Sequence, residues 1–175
     1  MRITLELEPA DVARFNVALR RADRLARSMD ECDIVDAAKH ALDHLPIGTA
    51  PAFVRKRLVE VQRLILMLED EAWALSGIER GEVLRTLVYF SDPDDLIPDE
   101  IEGIGLLDDA IMLELLLRRL KHLLGAYADF CAFRAALGTD RDNGEARLAR
   151  AVALARKRSS LQARMRRRAQ RVQAA

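Results

Sequence analysis

The sequence lacks the features that are typical of disulfide-rich, secreted or membrane-spanning proteins. Its two cysteines, Cys32 and Cys131, are too few for a disulfide framework and favour a reducing cytoplasm. No signal-peptide pattern is seen at the start, which also predicts a cytoplasmic location. No run of about 18 uncharged apolar residues occurs, and the nearest approach, residues 101–117, contains four acids. We therefore expect no membrane span, with peripheral association at the inner membrane as the alternative.

Familiar catalytic and metal-binding patterns are also missing. His40 and His44 have a helical spacing that suits zinc, but two ligands are too few and no Glu follows His40. Neither cysteine has the histidine and acid of an activated nucleophile beside it. Gly103 and Gly105 lack the third glycine and the preceding strand of a dinucleotide-binding loop. These absences leave catalytic residues unassigned and do not decide whether the protein is an enzyme.

Charge is unevenly distributed, although the 175-residue chain has 28 acidic and 28 basic residues. Residues 146–175 contain ten cations and no acid, so residues 1–145 carry a net charge of −10. The basic tail is predicted to be a helix that packs on the acidic body, or binds nucleic acid or anionic lipid. It lacks the aromatic side chains on which single-strand binders stack bases. Its main cations are Arg156, Lys157, Arg158, Arg164, Arg166, Arg167, Arg168 and Arg171.

Apolar periodicity predicts an all-α, multi-helix bundle with one short N-terminal strand at residues 2–8. Helices are expected to begin near Pro9 and after a cap at either Ser28 or Asp30. Further helices are expected to cover about residues 52–73, 79–90 and 106–137. The last of these has the broadest apolar stripe, which predicts the most buried helix, and its residues 118–122 form a polar face. We expect three parts: strand–helix–helix at 1–45, a helical core at 46–137, and a linker with the basic helix at 138–175.

Residues 89–109 are the most unusual segment of the chain. They contain eight carboxylates, two prolines and two glycines, with no lysine or arginine. Pro93 and the acids around it are typical of a turn, and Pro98 favours an extended conformation of the residue before it. Asp108 and Asp109 then fall in the first turn of the next helix, where the dipole favours negative charge. The segment is predicted to join two helices into a central hairpin.

The acids of this segment have two interpretations. As caps and turn formers they accept hydrogen bonds from nearby backbone N–H groups. As a functional cluster, Asp95, Asp99, Asp108 and Asp109 converge on a divalent cation or a basic partner, because neighbouring ionised carboxylates repel each other unless a cation lies between them. The spacing does not match an EF-hand, since apolar residues stand where a ligand and the glycine should be.

Residues 89–109 resemble the motif of the YkvA-like family, bacterial domains of unknown function. In that family a Ser-Pro-x-Asp-Leu-Ile-Pro-Asp turn leads into a helix that opens with Asp-Asp. Here Asp92 replaces the usual Ser, and Glu102 stands where the family often has Pro. The resemblance covers about residues 79–120 and implies a helical domain with no established activity. The matching residues are Pro93, Asp95, Leu96, Ile97, Pro98, Asp99, Gly105, Asp108 and Asp109.

The first 45 residues resemble a second layout, that of ribbon–helix–helix DNA-binding proteins. They contain nine acidic and seven basic residues, and a net charge of −2 disfavours DNA binding. What this resemblance implies is therefore limited to a strand that pairs across a dimer.

The leading functional hypothesis is a non-enzymatic cytoplasmic interaction or scaffold protein. Its acidic turn and basic tail would be used in self-association or partner binding. One alternative is a metal-binding module or metal-dependent hydrolase that uses the aspartate cluster. The second alternative is peripheral membrane or nucleic-acid binding through the basic tail.

Overall fold

The computed structural model describes residues 9–45, 50–92, 105–138 and 144–173. In these residues the chain forms seven α-helices and no strand, which confirms the all-α prediction. The predicted N-terminal strand, residues 2–8, lies outside the described residues. The helices are α1 (Pro9–Ser28), α2 (Glu31–His44), α3 (Ala52–Glu69), α4 (Gly77–Phe90), α5 (Gly105–Arg119), α6 (Lys121–Ala136) and α7 (Gly144–Gln173).

The third helix ends at Glu69, earlier than the predicted residue 73, because the next residue forms a turn. Asp70 Oδ1 accepts hydrogen bonds from the backbone N–H groups of Ala72 (3.1 Å) and Trp73 (3.2 Å). This is the side-chain-to-backbone pattern by which Asp competes with helix continuation. Ala74 follows with a φ of 46°, so the chain leaves the helical path before α4. The turn carries Trp73 into the core, where it is completely buried.

The prediction of one continuous helix over residues 106–137 is wrong at Leu120. That residue has φ −86° and ψ 1°, and it separates α5 from α6. Its N–H still donates to the Leu116 carbonyl (3.3 Å), and its own carbonyl accepts the Leu124 N–H (2.9 Å). The break is therefore a local distortion of the helix with most of its hydrogen bonding retained.

The main hydrophobic core takes buried side chains from all of the described helices. Two helices share the central position, since α3 contacts α2, α4, α5 and α6, and α4 contacts α1, α2, α3 and α5. Val83 and Leu87 of α4 are completely buried. Each such side chain contributes about 1.5–3 kcal/mol through removal of apolar surface from water. α4 and α5 are thus in contact, as a hairpin requires, while most of their connection lies outside the described residues.

α7 packs along α6 and over the turn between α3 and α4. Leu161 and Met165 are buried in the main core, which fixes the middle of this basic helix to the body. Leu148 and Val152, nearer its start, remain exposed. Among the helices that the structure describes, none combines the length and the apolar character that crossing a bilayer requires.

Candidate functional site

The predicted carboxylate cluster falls mainly outside the described part of the chain. The residues concerned are Pro93, Asp95, Pro98 and Asp99. Three others lie near the N-terminus of α5: Gly105, Asp108 and Asp109. Within the four described ranges, no three His, Cys, Asp or Glu side chains gather as a metal ion would require. A divalent-cation site at Asp95, Asp99, Asp108 and Asp109 therefore stays a prediction.

The two histidines of α2 form a surface stack. The rings of His40 and His44 have centroids 4.0 Å apart, and His44 Nδ1 lies 2.7 Å from the carbonyl oxygen of His40. That contact occupies one ring nitrogen of His44. Cys32, at the start of the same helix, is an exposed free thiol.

A groove of about 340 Å³ lies between α3 and the consecutive helices α5 and α6. Its volume is in the range of ligand sites. Arg57 of α3 pairs with Glu114 of α5, and farther along the hydroxyl oxygen of Tyr127 in α6 lies 3.4 Å from the carbonyl oxygen of Leu66 in α3. The helices on the two sides of the groove therefore run in the same direction.

Helical spacing brings the lining residues onto the two walls. On α3 the charged positions 56, 60 and 63 recur at intervals of three to four residues, which places them on one face. Positions 114, 118, 121, 125 and 128 do the same on α5 and α6. The cations of the groove are Lys56, Arg57, Arg63, Arg118 and Lys121, and its acids are Glu60 and Glu114. The uncharged lining residues are Leu117, Leu124, Gly125 and Ala128.

An ion network joins the two walls at one end of the groove. Glu114 Oε2 lies 2.7 Å from Arg57 Nη2, and Glu114 Oε1 lies 2.8 Å from Arg118 Nε. The Arg57 guanidinium also lies 3.7 Å from the centroid of the Phe53 ring. Burial would raise the pKa of Glu114, but the hydrogen bonds and positive charges of Arg118 and Arg57 outweigh it, so the pKa is lowered. Glu114 is thus an ionised structural partner of the two arginines.

The remaining cations of the groove are more available to a ligand. Arg63 pairs with Glu60 one turn away (2.8 Å) while its side chain stays half exposed. Lys56 and Lys121 are exposed, and among the described residues neither has a hydrogen-bonding or ion-pair partner. Five cations and two carboxylates give the groove a local net charge of +3 on a body whose net charge is −10. An anion is therefore attracted here in preference to the rest of the body.

A second polar cluster surrounds Asp70 and has a structural role. Asp70 Oδ2 accepts hydrogen bonds from the Tyr127 hydroxyl (3.0 Å) and from Arg134 Nη1 (2.7 Å). Burial, reinforced by the neighbouring Cys131 and Asp70, raises the pKa of the Tyr127 phenol, which therefore stays protonated. The cluster joins α3, its turn and α6. Sequence reasoning missed it because Asp70 was placed inside a helix; the turn-forming tendency of Asp was the available signal.

Part of the basic tail pairs with the acidic body. Arg166 Nε donates to Glu79 Oε1 at the start of α4 (2.9 Å). Arg164 pairs with Asp129 of α6. Arg158 Nη1 donates to a carbonyl of the α3–α4 turn (3.3 Å).

Other tail cations are directed to different environments. Lys157 Nζ lies 5.0 Å from the centroid of the Phe133 ring, a cation–π arrangement. Arg156, Arg167 and Arg168 are exposed and have no bonding partner within the described residues. The tail thus combines an inward, paired set of cations with an outward, unpaired set.

Comparison with known proteins gives one match. Residues 80–115 match the model of a family described as "Protein of unknown function (DUF1232)". The matched stretch covers most of α4, the following connection and about the first three-quarters of α5, and it fits the resemblance to YkvA-like domains of unknown function. Of the residues that line the groove, it contains Glu114. No curated protein and no solved structure matches the chain.

Proposed function

We propose that this protein is a non-enzymatic helical interaction protein that binds an anionic partner in the groove between α3 and α5–α6. The proposal rests on one observation, the local charge of +3 in a concave surface of a strongly acidic body. A positively charged groove in an acidic surface concentrates the electric field and favours the binding of anionic ligands.

The chemistry of the lining residues favours binding over proton transfer. Both carboxylates of the groove, Glu60 and Glu114, are paired with arginine. The other charged groups are lysines and arginines, and the two lysines are exposed rather than buried. A general base must be free to accept a proton from the ligand, and both carboxylates of this lining are already engaged by arginine.

The test is a quantitative capture experiment with three forms of the full-length chain. Wild type is compared with the groove variant K56E/K121E and with the control R20E/R24E, which reverses two exposed cations of α1. We expect at least one partner that binds wild type and the control but is lost with the groove variant. The proposal would be contradicted if all three forms captured the same partners equally. It would also be contradicted if wild type captured no partner and sedimentation showed that the protein is monomeric.

A second candidate function is association with an anionic lipid or nucleic-acid surface through α7. It is favoured by Arg156, Arg167 and Arg168, which are exposed and have no ion-pair partner in the part of the chain that the structure describes. Binding to vesicles with anionic headgroups, or to duplex DNA, would weaken with salt and be lost in R167E/R168E. Binding that the K56E/K121E variant loses instead would assign it to the groove.

A further inference from the structure

We infer that the partner held in the groove is an acidic amphipathic helix of another protein. This inference rests on the proposed function and specifies its partner class. It comes from three observations: the distribution of cations along the groove, the exposed apolar side chains of α3 that lie outside its lining but next to it on the same helix, and the room that small residues leave.

The cations are distributed along the groove instead of converging on one point. Lys56 and Arg63 are seven residues apart on α3, which is two turns or about 10 Å along the helix axis. On the opposite wall the lining extends from Glu114 to Ala128, or about 21 Å. A single phosphate needs donors that meet at one place, whereas two rows of this length match an elongated ligand.

Apolar side chains alternate with cations on the exposed face of α3. Lys56, Val59, Arg63 and Leu66 recur at intervals of three or four residues, and all four are exposed. Val59 is 48% and Leu66 is 52% exposed, which is high for large apolar side chains. A helix with leucine-type and acidic residues at the same intervals would cover the apolar members and pair with the cations.

The base of the groove has space for such a helix. Leu117 is buried and Leu124 half-buried, which gives an apolar base. Gly125 and Ala128 are small and exposed, and a Cβ built on Gly125 would meet nothing within 4 Å. Small residues let a third helix approach two packed helices at the usual interaxial distance of about 8–10 Å.

Nucleic acid fits the same surface less well. Its phosphates would pair with the cations but would leave Val59 and Leu66 beside charged backbone. No aromatic side chain lines the described groove to stack a base. A short acidic helix carries less charge and supplies apolar contacts as well.

The test is selection of binders from a displayed library of random 16-residue peptides against the full-length protein. We expect enrichment of peptides with acidic residues and leucine, isoleucine or methionine at three-to-four-residue intervals, which become helical on binding by circular dichroism. Their affinity should fall at least about tenfold in K56E/K121E and change less than about twofold in R20E/R24E. Thermal melting of both variants verifies that each is folded.

Other results would overturn the inference in distinguishable ways. Acidic peptides without helical spacing, bound in the groove, would overturn the helical partner and leave the anionic partner standing. No enrichment, or binders that the groove variant holds as tightly as wild type, would overturn both. Self-association of the protein that K56E/K121E abolishes would assign the groove to a second copy of this chain instead of another protein.

Discussion

Arg57 and Lys56 are consecutive residues of α3, but within the described ranges only Arg57 has an ion-pair partner, Glu114 of α5 at 2.7 Å. Consecutive helical residues point about 100° apart, so one side chain ties α3 to α5 while its neighbour remains exposed. The ion pair stabilises the walls of the groove, and the exposed lysine contributes to its positive charge. The two residues should therefore respond differently to substitution.

Replacing Glu114 by glutamine should make stability less dependent on pH. Because the folded-state pKa of Glu114 is lowered, its ionised form stabilises the fold above the ordinary carboxyl pKa of about 4.3, and that contribution is lost as pH falls through the folded-state value. We expect E114Q to lower the free energy of unfolding by about 1–2 kcal/mol at neutral pH, with a smaller deficit near pH 3. Urea unfolding across this range measures it, and a constant deficit would contradict the assignment.

Replacing Asp70 by alanine should destabilise the protein strongly. The substitution removes the turn-forming hydrogen bonds and leaves Tyr127 and Arg134 without their acceptor. We expect a loss of about 2–4 kcal/mol in the free energy of unfolding.

The matched control for that experiment is Asp129→Ala, which breaks the exposed ion pair with Arg164. Exposed pairs contribute about 0–1 kcal/mol, so this change should be small. Similar losses in the two variants would show that the Asp70 cluster is not the stabilising contact described above.

Docking of the basic helix α7 predicts a contrast between two of its leucines. Leu161 is 3% exposed in the core, so Leu161→Ala should cost about 2–4 kcal/mol. Leu148 is 67% exposed, so Leu148→Ala should change stability by less than about 0.5 kcal/mol. Thermal or urea unfolding distinguishes them. Two equally small effects would mean that α7 is not part of the folded core.

The fold class and most helix positions followed from sequence because they depend on local patterns. Pro9 begins α1 as expected, and of the two predicted caps for α2, Ser28 and Asp30, the structure has Asp30. The end of α3 and the distortion at Leu120 did not follow, because tertiary contacts decide them. Asp70 forms its turn while it also accepts hydrogen bonds from Tyr127 and Arg134 of α6. Leu120 is buried in the core at the junction of α5 and α6.

The groove could not be predicted from sequence, because its two walls are about 60 residues apart in the chain. Residues 118–122 indicate only a polar helix face, and the cations of α3 lie beside an apolar stripe that is typical of any amphipathic helix. Their significance depends on parallel packing of α3 with α5 and α6, which the sequence pattern does not specify. The aspartate cluster could be proposed from sequence because its four charges fall within one short segment, residues 95–109.

The metal-binding hypothesis makes its own prediction. If Asp95, Asp99, Asp108 and Asp109 hold a divalent cation, millimolar Mg²⁺, Mn²⁺ or Ca²⁺ should raise the melting temperature, because a ligand that binds only the folded state stabilises it. The substitution D95N/D99N should abolish the increase. A melting temperature unaffected by all three ions would rule this hypothesis out.

The most direct test of the binding groove is site-specific photo-cross-linking in cells. A photoreactive amino acid is placed at Ala128, an exposed residue of the groove, or at Ala163, an exposed residue of α7. We expect a defined protein adduct at position 128 that K56E/K121E abolishes, with the cross-linked segment acidic and helical. Adducts that form at position 163 and not at 128, or that persist in K56E/K121E, would contradict it.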